Sequence, residues 1–269
     1  MEIRPKIRKI RGGYEEHTSI RGAYEEPLTS LLSGGRLSTD SSENGRCRWT
    51  MSPVHLVRLP DLMKLSQGRP ETAVALIDGP VLLGHPDLAG SVIREIPGKL
   101  KGRCSRADTV ACTHATFVAG ILSARRGSVA PAICPGCTLL VRPIFAESAN
   151  GNGQAPSATP EELAEAIIDS VTSGARVINL SSALLQPSPK GESKLDEALN
   201  YAAHHGAITV AAAGNQGTVG SSAITRHSWV IPVVACGLQG RPLSESNLGR
   251  SIGRRGLSGT RGEYYQPRN

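Results

Sequence analysis

The sequence predicts an α/β protein built on a parallel sheet with helices on both faces. Three observations predict this fold class: short unbroken apolar runs, amphipathic helix patterns between those runs, and a supply of mostly small aliphatic side chains for the core. Of the 269 residues, 39% are hydrophobic, but only 2 Trp, 5 Tyr and 2 Phe are aromatic. Ala, Val, Leu and Ile must therefore fill the core between the sheet and its helices.

Five apolar runs are typical of strands that are buried on both faces, as in a parallel sheet. The first of them, 73–77, reads Ala-Val-Ala-Leu-Ile without a polar residue. The other four runs cover residues 138–141, 175–180, 208–213 and 230–235.

Helix signals stand between these runs. Thr159 is a typical N-cap, a proline follows it, and Glu162 completes a capping box, while Gly174 marks the end of that helix. A second helix begins at Ser193 and ends before Gly206. Strands that alternate with helices of this length indicate a parallel sheet, whose chemistry lies beyond the carboxyl ends of its strands.

The composition divides the chain into three parts. Residues 1–50 contain an imperfect repeat, in which 10–16 reads IRGGYEE and 20–26 reads IRGAYEE, followed by a Ser- and Gly-rich stretch. This part is typical of a disordered leader or linker with little to bury. Residues 51–257 form the expected globular domain, and 258–269 form a polar, basic tail without a helix or strand pattern.

Charge and hydropathy exclude several partners. The net charge is +7, and six arginines among residues 241–269 account for most of the excess. Without a basic helix or an aromatic RNA motif, this tail is expected to be solvated rather than bound to nucleic acid. No apolar run reaches the roughly 18 residues of a membrane span, and the first residues lack the apolar segment of a secretory signal. We expect a cytoplasmic protein without a membrane partner.

The six cysteines are expected to be reduced thiols in a chain without an export signal. Cys134 and Cys137 form one close pair in a Cys-Pro-Gly-Cys sequence. Such a pair binds a metal, acts in redox chemistry or simply forms a surface turn. A zinc site would need a second pair or two well-spaced histidines, which the sequence lacks, so we expect no metal and no cofactor.

Three polar residues coincide with predicted strand ends or helix starts. Asp78 follows the first strand, His114 is expected to open a helix of small residues, and Asn215 follows the strand that begins near Ile208. Taken singly, each is typical of a cap or a turn. The positive end of a helix dipole would keep the imidazole of His114 neutral and available as a base. Together they place a carboxylate, an imidazole and an amide donor around one crevice.

These residues belong to sequence blocks that resemble, in order, those of subtilisin-like serine proteases, and the resemblance covers residues 73–256. The spelling is closest to the branch that includes the cyanobactin-maturation proteases, which cut ribosomal precursor peptides. The resemblance implies the subtilisin-like three-layer fold, here incomplete at its C-terminus. The blocks are Ala-Leu-Ile-Asp78-Gly-Pro, His114-Ala-Thr-Phe-Val-Ala-Gly, Val177-Ile-Asn-Leu-Ser-Ser, Ala-Ala-Ala-Gly-Asn215 and Ser246-Asn-Leu-Gly-Arg-Ser-Ile-Gly.

The resemblance also implies roles for single residues. His114 would be the general base, Asp78 would orient its ring, and Asn215 would donate to the oxyanion. Leu180, Ser181 and Ser182 would form an edge that pairs with an extended peptide. Asp87 stands where some relatives bind calcium, but residues 124–129 lack the asparagine that completes such a site, so no calcium is expected.

The resemblance fails at the nucleophile. The family carries its serine in a Gly-Thr-Ser-x-Ala-x-Pro block, which this sequence does not contain. Ser258 stands in Ser-Gly-Thr order instead and is not expected to be the nucleophile. The family pattern is lost near Gly256, as a frameshift, an early stop or a split gene would produce. The triad would then need a separate C-terminal fragment.

Two function classes remain open at this point. The chain is a peptidase of peptide or protein substrates, inactive alone, or a non-catalytic peptide-binding protein that keeps the cleft. A nucleotide-binding protein would fit the fold, but neither glycine-rich phosphate motif is present.

Overall fold

The computed structural model describes residues 20–22, 53–147, 157–184 and 193–260. The strands are β1 (Ile20–Gly22), β2 (Ala73–Asp78), β3 (Val92–Glu95), β4 (Thr138–Pro143), β5 (Ser157–Ala158), β6 (Val177–Leu180), β7 (Ser182–Leu184), β8 (Ile208–Ala212), β9 (Val230–Cys236) and β10 (Leu257–Thr260). The helices are α1 (Pro53–Leu56), α2 (Leu59–Leu65), α3 (Val110–Ser123), α4 (Pro160–Thr172), α5 (Ser193–His204), α6 (Ala223–Arg226) and α7 (Arg250–Arg255).

Seven of these strands form one sheet, in the order β10-β9-β8-β6-β2-β4-β3. Every neighbouring pair in it is parallel, and β2 lies between β4 and β6 near the middle. A smaller antiparallel sheet has the order β5-β1-β7. The parallel α/β fold predicted from the sequence is therefore confirmed.

The alternation of side chains along β2 shows how the layers pack. Ala75 and Ile77 belong to one apolar cluster, whereas Leu76 belongs to another, because successive side chains of a strand point to opposite faces. The first cluster includes residues of α4 and α5, namely Leu163, Ile167, Leu195 and Leu199. The second includes Ala115 and Ala119 of α3. Helices thus cover both faces of the sheet, as predicted.

The predicted helix signals act as expected in α4. The Thr159 hydroxyl accepts a hydrogen bond from the Glu162 backbone, and the Glu162 carboxylate accepts one from the Thr159 backbone. The helix ends at Thr172, and Gly174 has a φ of 91°, which a residue with a Cβ rarely adopts. The capping box and the terminal glycine were therefore correct predictions.

Two segments expected to lack regular structure contain strands. Leu257–Thr260 forms β10 and pairs in parallel with β9. Ile20–Gly22 forms β1 inside the expected leader. The prediction that no strand follows residue 257 was wrong, because a polar segment can pair through its backbone alone. The remaining residues of 1–50, and 261–269, lie outside the described residues. No helix in the described part of the chain is long and apolar enough to cross a bilayer.

Candidate active site

Asp78 ends the central strand of the sheet and is completely buried. Its Oδ1 accepts a hydrogen bond from the Gly79 backbone over 2.7 Å. Its carbonyl oxygen accepts another from the Ile144 backbone over 2.8 Å, which joins the end of β2 to the segment after β4. The carboxylate is therefore held at one position at the carboxyl end of the strand.

The side chain of His114, on α3, lies next to this carboxylate. Its Nδ1 lies 3.1 Å from Oδ1 and 3.0 Å from Oδ2 of Asp78, and 17% of its side chain is exposed. Asp78 and His114 thus come within hydrogen-bond distance, as the sequence predicts. When Nδ1 donates its proton to the carboxylate, Nε2 is the basic nitrogen of the ring.

The position of His114 in its helix differs from the prediction. The helix begins at Val110, and the Thr109 hydroxyl caps it by accepting from the Cys112 backbone over 3.3 Å. His114 is therefore the fifth helical residue and lies beyond the first turn, where the dipole acts most strongly. The expectation that it opens the helix was wrong, because the sequence between Val110 and His114 shows no apolar stripe that marks a helix start.

Two opposing influences, burial of the ring and the neighbouring Asp78, determine the pKa of His114. Burial of the ring opposes protonation and is the largest single influence, but the negative charge of Asp78 and the hydrogen bond to it together outweigh burial. The pKa of His114 is therefore raised above its ordinary value. This corrects the expectation that the helix dipole keeps the ring neutral: the adjacent carboxylate favours the imidazolium instead.

Close packing fixes the distance between α3 and β2. A Cβ on Gly79 would lie 2.4 Å from the carbonyl oxygen of Ala111, so the strand end and the first turn of α3 touch through backbone atoms. The Thr116 hydroxyl, farther along α3, accepts a hydrogen bond from the Leu82 backbone over 2.9 Å. These contacts hold the helix against the segment that follows Asp78. They thereby keep His114 within hydrogen-bond distance of Asp78.

Four cysteines form two disulfides. Cys104 pairs with Cys112 of α3, and Cys134 pairs with Cys137, while Cys236 is free and buried. The expectation of reduced thiols was wrong for these four residues, because the fold brings each pair to a Cα distance below 6 Å, within the bridging range. Cys47 lies outside the described residues.

The first disulfide lies beside the candidate site. The Cys104 backbone donates to the Val81 carbonyl over 3.1 Å, so the bridge ties α3 to the segment after β2. The sulfurs of Cys104 and Cys112 and a carboxylate oxygen of Glu147 lie within 4.8 Å of one another. Sulfurs that are bonded to each other are not thiolates, so this group does not fit a metal ion as it stands.

Asn215 follows β8 on a loop with an unusual conformation. Gly214 before it has a φ of 103°. Asn215 itself is half-buried, and its carboxamide has no hydrogen-bond partner among the described residues. Only β6 separates β8 from β2, so Asn215 and Asp78 both follow the carboxyl ends of strands in the same parallel sheet.

The loop that carries Asn215 is organised by Asn247, a residue to which the sequence analysis assigned no role. Its Nδ2 donates to the Ala213 carbonyl over 3.1 Å, and its Oδ1 accepts from the backbones of Gln216 and Thr218 over 3.0 Å each. Only 8% of Asn247 is exposed. The block that begins at Ser246 was its only signal, since a single asparagine in a polar segment predicts no partner.

The three residues expected to line a peptide cleft lie in different environments. Leu180 is 1% exposed and packs in the core, because β6 lies between β2 and β8. Its side chain therefore faces the core, and the pairing of this segment with an extended peptide through its backbone stays a prediction. The Ser181 hydroxyl accepts a hydrogen bond from Asn179 Nδ2 over 2.8 Å. Ser182 begins β7, which pairs with β1 of the same chain.

Ser258 lies far from His114 and Asp78 across the sheet. It belongs to β10 and pairs with Val234 of β9. Four strand intervals separate β10 from β2, which corresponds to about 19 Å at about 4.8 Å per interval.

Comparison with known proteins gives consistent results. Residues 69–255 match the sequence model of the subtilase family. A thermophilic serine proteinase of Bacillus sp. (strain AK1) is 33% identical over 199 residues, which cover 70% of this chain. Thermitase of Thermoactinomyces vulgaris is 27% identical over 203 residues, which cover 73% of this chain. The chain spans 43% of the length of the first relative and 66% of the second.

Solved structures show the same likeness. A mutant of the protease domain of PatA superimposes with a TM-score of 0.65 at 29% identity, over 71% of this chain and 67% of that one. The prenylagaramide maturation protease PagA gives 0.64 at 28% identity, over 74% and 66%. The subtilisin-like fold and the likeness to cyanobactin-maturation proteases are therefore shown.

Proposed function

The chain belongs to the subtilase family of serine proteases, and on that premise we propose that His114 is the general base of a peptide-hydrolysing site and that Asp78 holds its ring. One observation carries the proposal: the Nδ1 atom of His114 lies within 3.1 Å of both carboxylate oxygens of a completely buried aspartate at a strand end. An imidazole held in this way by a carboxylate is the arrangement that activates a serine hydroxyl.

In this proposal each residue has one task. His114 Nε2 takes the proton of the serine hydroxyl and later gives it to the leaving amine. Asp78 holds the ring with Nδ1 protonated and stabilises the imidazolium that forms. Asn215 donates to the oxyanion of the tetrahedral intermediate, and loss of one such donor costs about 10²–10³ in kcat.

The serine itself must come from outside these residues. The 269 residues contain no Gly-Thr-Ser-x-Ala-x-Pro block, and Ser258 is four strands from Asp78. We propose that this chain alone does not hydrolyse peptides and that a serine-bearing segment completes it. Without a nucleophile, positioning and the oxyanion donor leave only about 10³–10⁴-fold enhancement over water.

The proposed substrate is an extended peptide, of the kind that a precursor peptide presents. PagA is described as a maturation protease of prenylagaramide, and this chain covers 66% of it. The antiparallel edges of β5 and β7 also suit an extended chain.

A fluorophosphonate probe, which reacts with activated serines, tests the proposal. The purified chain should not label. A chimera that continues from Gly256 with the serine-bearing C-terminal segment of thermitase should label, and His114→Ala should abolish labelling. The matched control is His204→Ala, because His204 is an exposed histidine of α5.

A second function is favoured by the paired strands alone. β5 and β7 would bind an extended peptide through backbone pairing alone, which needs no nucleophile. A folded chimera that binds peptides but does not label would support a non-catalytic peptide-binding protein. Labelling of the unmodified chain that is lost in Ser258→Ala would overturn the proposed source of the serine.

A further inference from the structure

Three side chains from separate parts of the chain converge beside the candidate active site. Cys104 precedes α3, Cys112 lies in the first turn of α3, and Glu147 follows β4. Their two sulfurs and one carboxylate oxygen lie within 4.8 Å of one another. Among the described residues, no other group of three histidine, cysteine or acidic side chains brings its ligand atoms so close. The disulfide occupies both sulfurs, so the chemistry of this group depends on whether that bond is closed or open.

Glu147 is held in place by the residues that follow Cys104. Its carboxylate accepts hydrogen bonds from the Ser105 backbone over 2.9 Å, from the Ser105 hydroxyl over 2.6 Å and from the Arg106 backbone over 2.9 Å. Burial raises the pKa of Glu147, but these hydrogen bonds outweigh burial and lower the pKa below its ordinary value. Carboxylates that bind metals are oriented by hydrogen bonds of this kind. A charged carboxylate is thus held beside the sulfurs by bonds that do not involve the disulfide.

Opening of the disulfide turns this group into a set of metal ligands. A dithiol reductant supplies the two electrons and two protons that opening requires. One of its thiolates attacks the half-exposed Cys104 sulfur, and Cys112 leaves as a thiolate that takes up a proton. The second thiolate of the reductant then closes the reductant's own disulfide and releases Cys104. The product contains two thiols next to a carboxylate.

Two thiolates and a carboxylate are ligands that Zn²⁺ accepts, with a fourth position for water. Soft thiolate ligands select zinc against Mg²⁺ and Ca²⁺, which prefer oxygen. A zinc ion that is about 2.3 Å from each sulfur in tetrahedral geometry holds the two sulfurs about 3.8 Å apart. The Cα atoms of Cys104 and Cys112 are 5.8 Å apart, so rotation about the Cα–Cβ bonds can supply this separation.

The group joins the two segments that carry Asp78 and His114. Cys112 is two residues before His114 on α3, and the Cys104 sulfur lies 3.3 Å from the carbonyl oxygen of Pro80, which is two residues after Asp78. In the oxidised chain the disulfide ties these segments together. An ion bound by both thiolates would tie them again after reduction, and Glu147 would add the segment after β4.

We propose that Cys104, Cys112 and Glu147 form a zinc site in the dithiol form of this chain, so that α3 is held either by a disulfide or by a thiophilic cation. Zn²⁺ displaces one proton from each thiol when it binds. The site needs neither the serine nor the imidazole of the proposed peptidase, so it can be tested apart from the proposed function.

The experiment measures metal binding by the full chain before and after reduction. Every protein carries Cys134→Ser and Cys137→Ser, so that this second pair supplies no thiols, while Cys47 and Cys236 are present throughout and cancel in the comparison. A dithiol reduces each protein and is then removed under argon. The reduced protein should bind a single equivalent of Co²⁺ with thiolate-to-cobalt charge-transfer absorption. Zn²⁺ should abolish this absorption, because it binds such ligands more tightly than Co²⁺ does. The oxidised protein should show no such absorption.

Two variants and one control test the ligands. Cys104→Ser with Cys112→Ser should abolish the absorption. Glu147→Gln should weaken Zn²⁺ binding at least about tenfold, since even loss of a group that only orients a ligand costs this much. Glu161→Gln is the matched control, because Glu161 is an exposed glutamate of α4. Zn²⁺ should also raise the Tm of the reduced protein, since it binds the folded form more tightly than the unfolded one.

Four results would overturn the proposed zinc site. The first is a disulfide that the dithiol does not open in the folded chain. The second is a reduced protein that is unfolded by circular dichroism and that Zn²⁺ does not refold. The third is the absence of cobalt absorption although thiol titration shows that both cysteines are reduced. The fourth is equal Zn²⁺ affinity in Glu147→Gln and Glu161→Gln, which would mean that the carboxylate is not a ligand. None of these results bears on serine labelling of the chimera, which tests the proposed function separately.

Discussion

The Asp78–His114 pair and the β5-β1-β7 sheet lie side by side but are held in different ways. The pair is fixed by a buried carboxylate, by the backbone contact of Gly79 with α3, and by the disulfide at Cys112. The small sheet is held by the backbone pairing of strands two or three residues long. The difference indicates that Asp78 and His114 are pre-organised by burial and covalent ties, whereas the small sheet depends on a few backbone hydrogen bonds.

The largest expected effect comes from removing the buried carboxylate. Asp78→Ala leaves the Gly79 backbone and the His114 ring without this acceptor at a completely buried position. We expect the free energy of unfolding to fall by about 3–5 kcal/mol, measured by urea denaturation. Asp61→Ala is the control, because Asp61 is exposed and its ion pair is with the equally exposed Lys64. Equal effects of the two substitutions would contradict the pre-organised pair.

The next effect concerns the two disulfides. Cys104→Ser with Cys112→Ser opens a loop with a separation of 8 residues and should lower the free energy of unfolding by about 2–3 kcal/mol. It should also lower the pKa of His114, since α3 loses its tie to the segment after Asp78. The same change at Cys134 and Cys137 opens a shorter loop, away from the site, and should leave the His114 titration unchanged. A His114 titration that responds alike to both variants, followed by NMR, would refute this assignment.

A smaller effect is expected where α3 touches β2. Gly79→Ala places a methyl group 2.4 Å from the Ala111 carbonyl oxygen, so one of the two elements must move. We expect a loss of about 1–3 kcal/mol in unfolding free energy, as for other overpacked sites. Gly84→Ala is the matched control, because its added Cβ would meet no atom within 4 Å. Thermal unfolding of both variants measures the difference, and an unaffected Gly79→Ala would show that the contact is not rigid.

The sequence predicts the position of Asp78 well, because that position follows from burial of the strand before it. The apolar run 73–77 can be buried only as a central strand, and Asp78 must then stand at its end. Residue types alone place this carboxylate and Asn215 at the carboxyl ends of parallel strands. The family resemblance adds the order of the blocks and thus the roles.

The small sheet and the disulfides could not be predicted in the same way. β1 and β10 form through backbone groups that every residue carries, so their partners decide where they form. The pairing of Cys104 with Cys112 depends on the approach of α3 to the loop before it, which no spacing rule gives. Asn247 acts on a segment about thirty residues away, and only the fold brings them together.

The smallest expected effect distinguishes half-buried His114 from buried His227 by the sign of their pH dependence. The pKa of His114 is raised, since Asp78 outweighs burial, whereas burial lowers the pKa of His227, and nearby Arg255 adds to this against the opposing charge of Asp196. The folded state therefore binds the His114 proton more tightly than the unfolded chain does. That contribution to stability is fully present below the ordinary histidine pKa and is lost as pH rises through the raised one. His227 acts in the opposite sense, because its folded form resists protonation. It therefore destabilises the fold as pH falls below the ordinary histidine pKa.

NMR titration should give the higher midpoint to His114, and Asp78→Asn should lower that midpoint without moving that of His227. Unfolding free energies of His114→Gln, compared with the unmodified chain from pH 5 to 8, should converge as pH rises. Divergence with rising pH would mean that the ring is held neutral and that Asp78 does not stabilise its imidazolium.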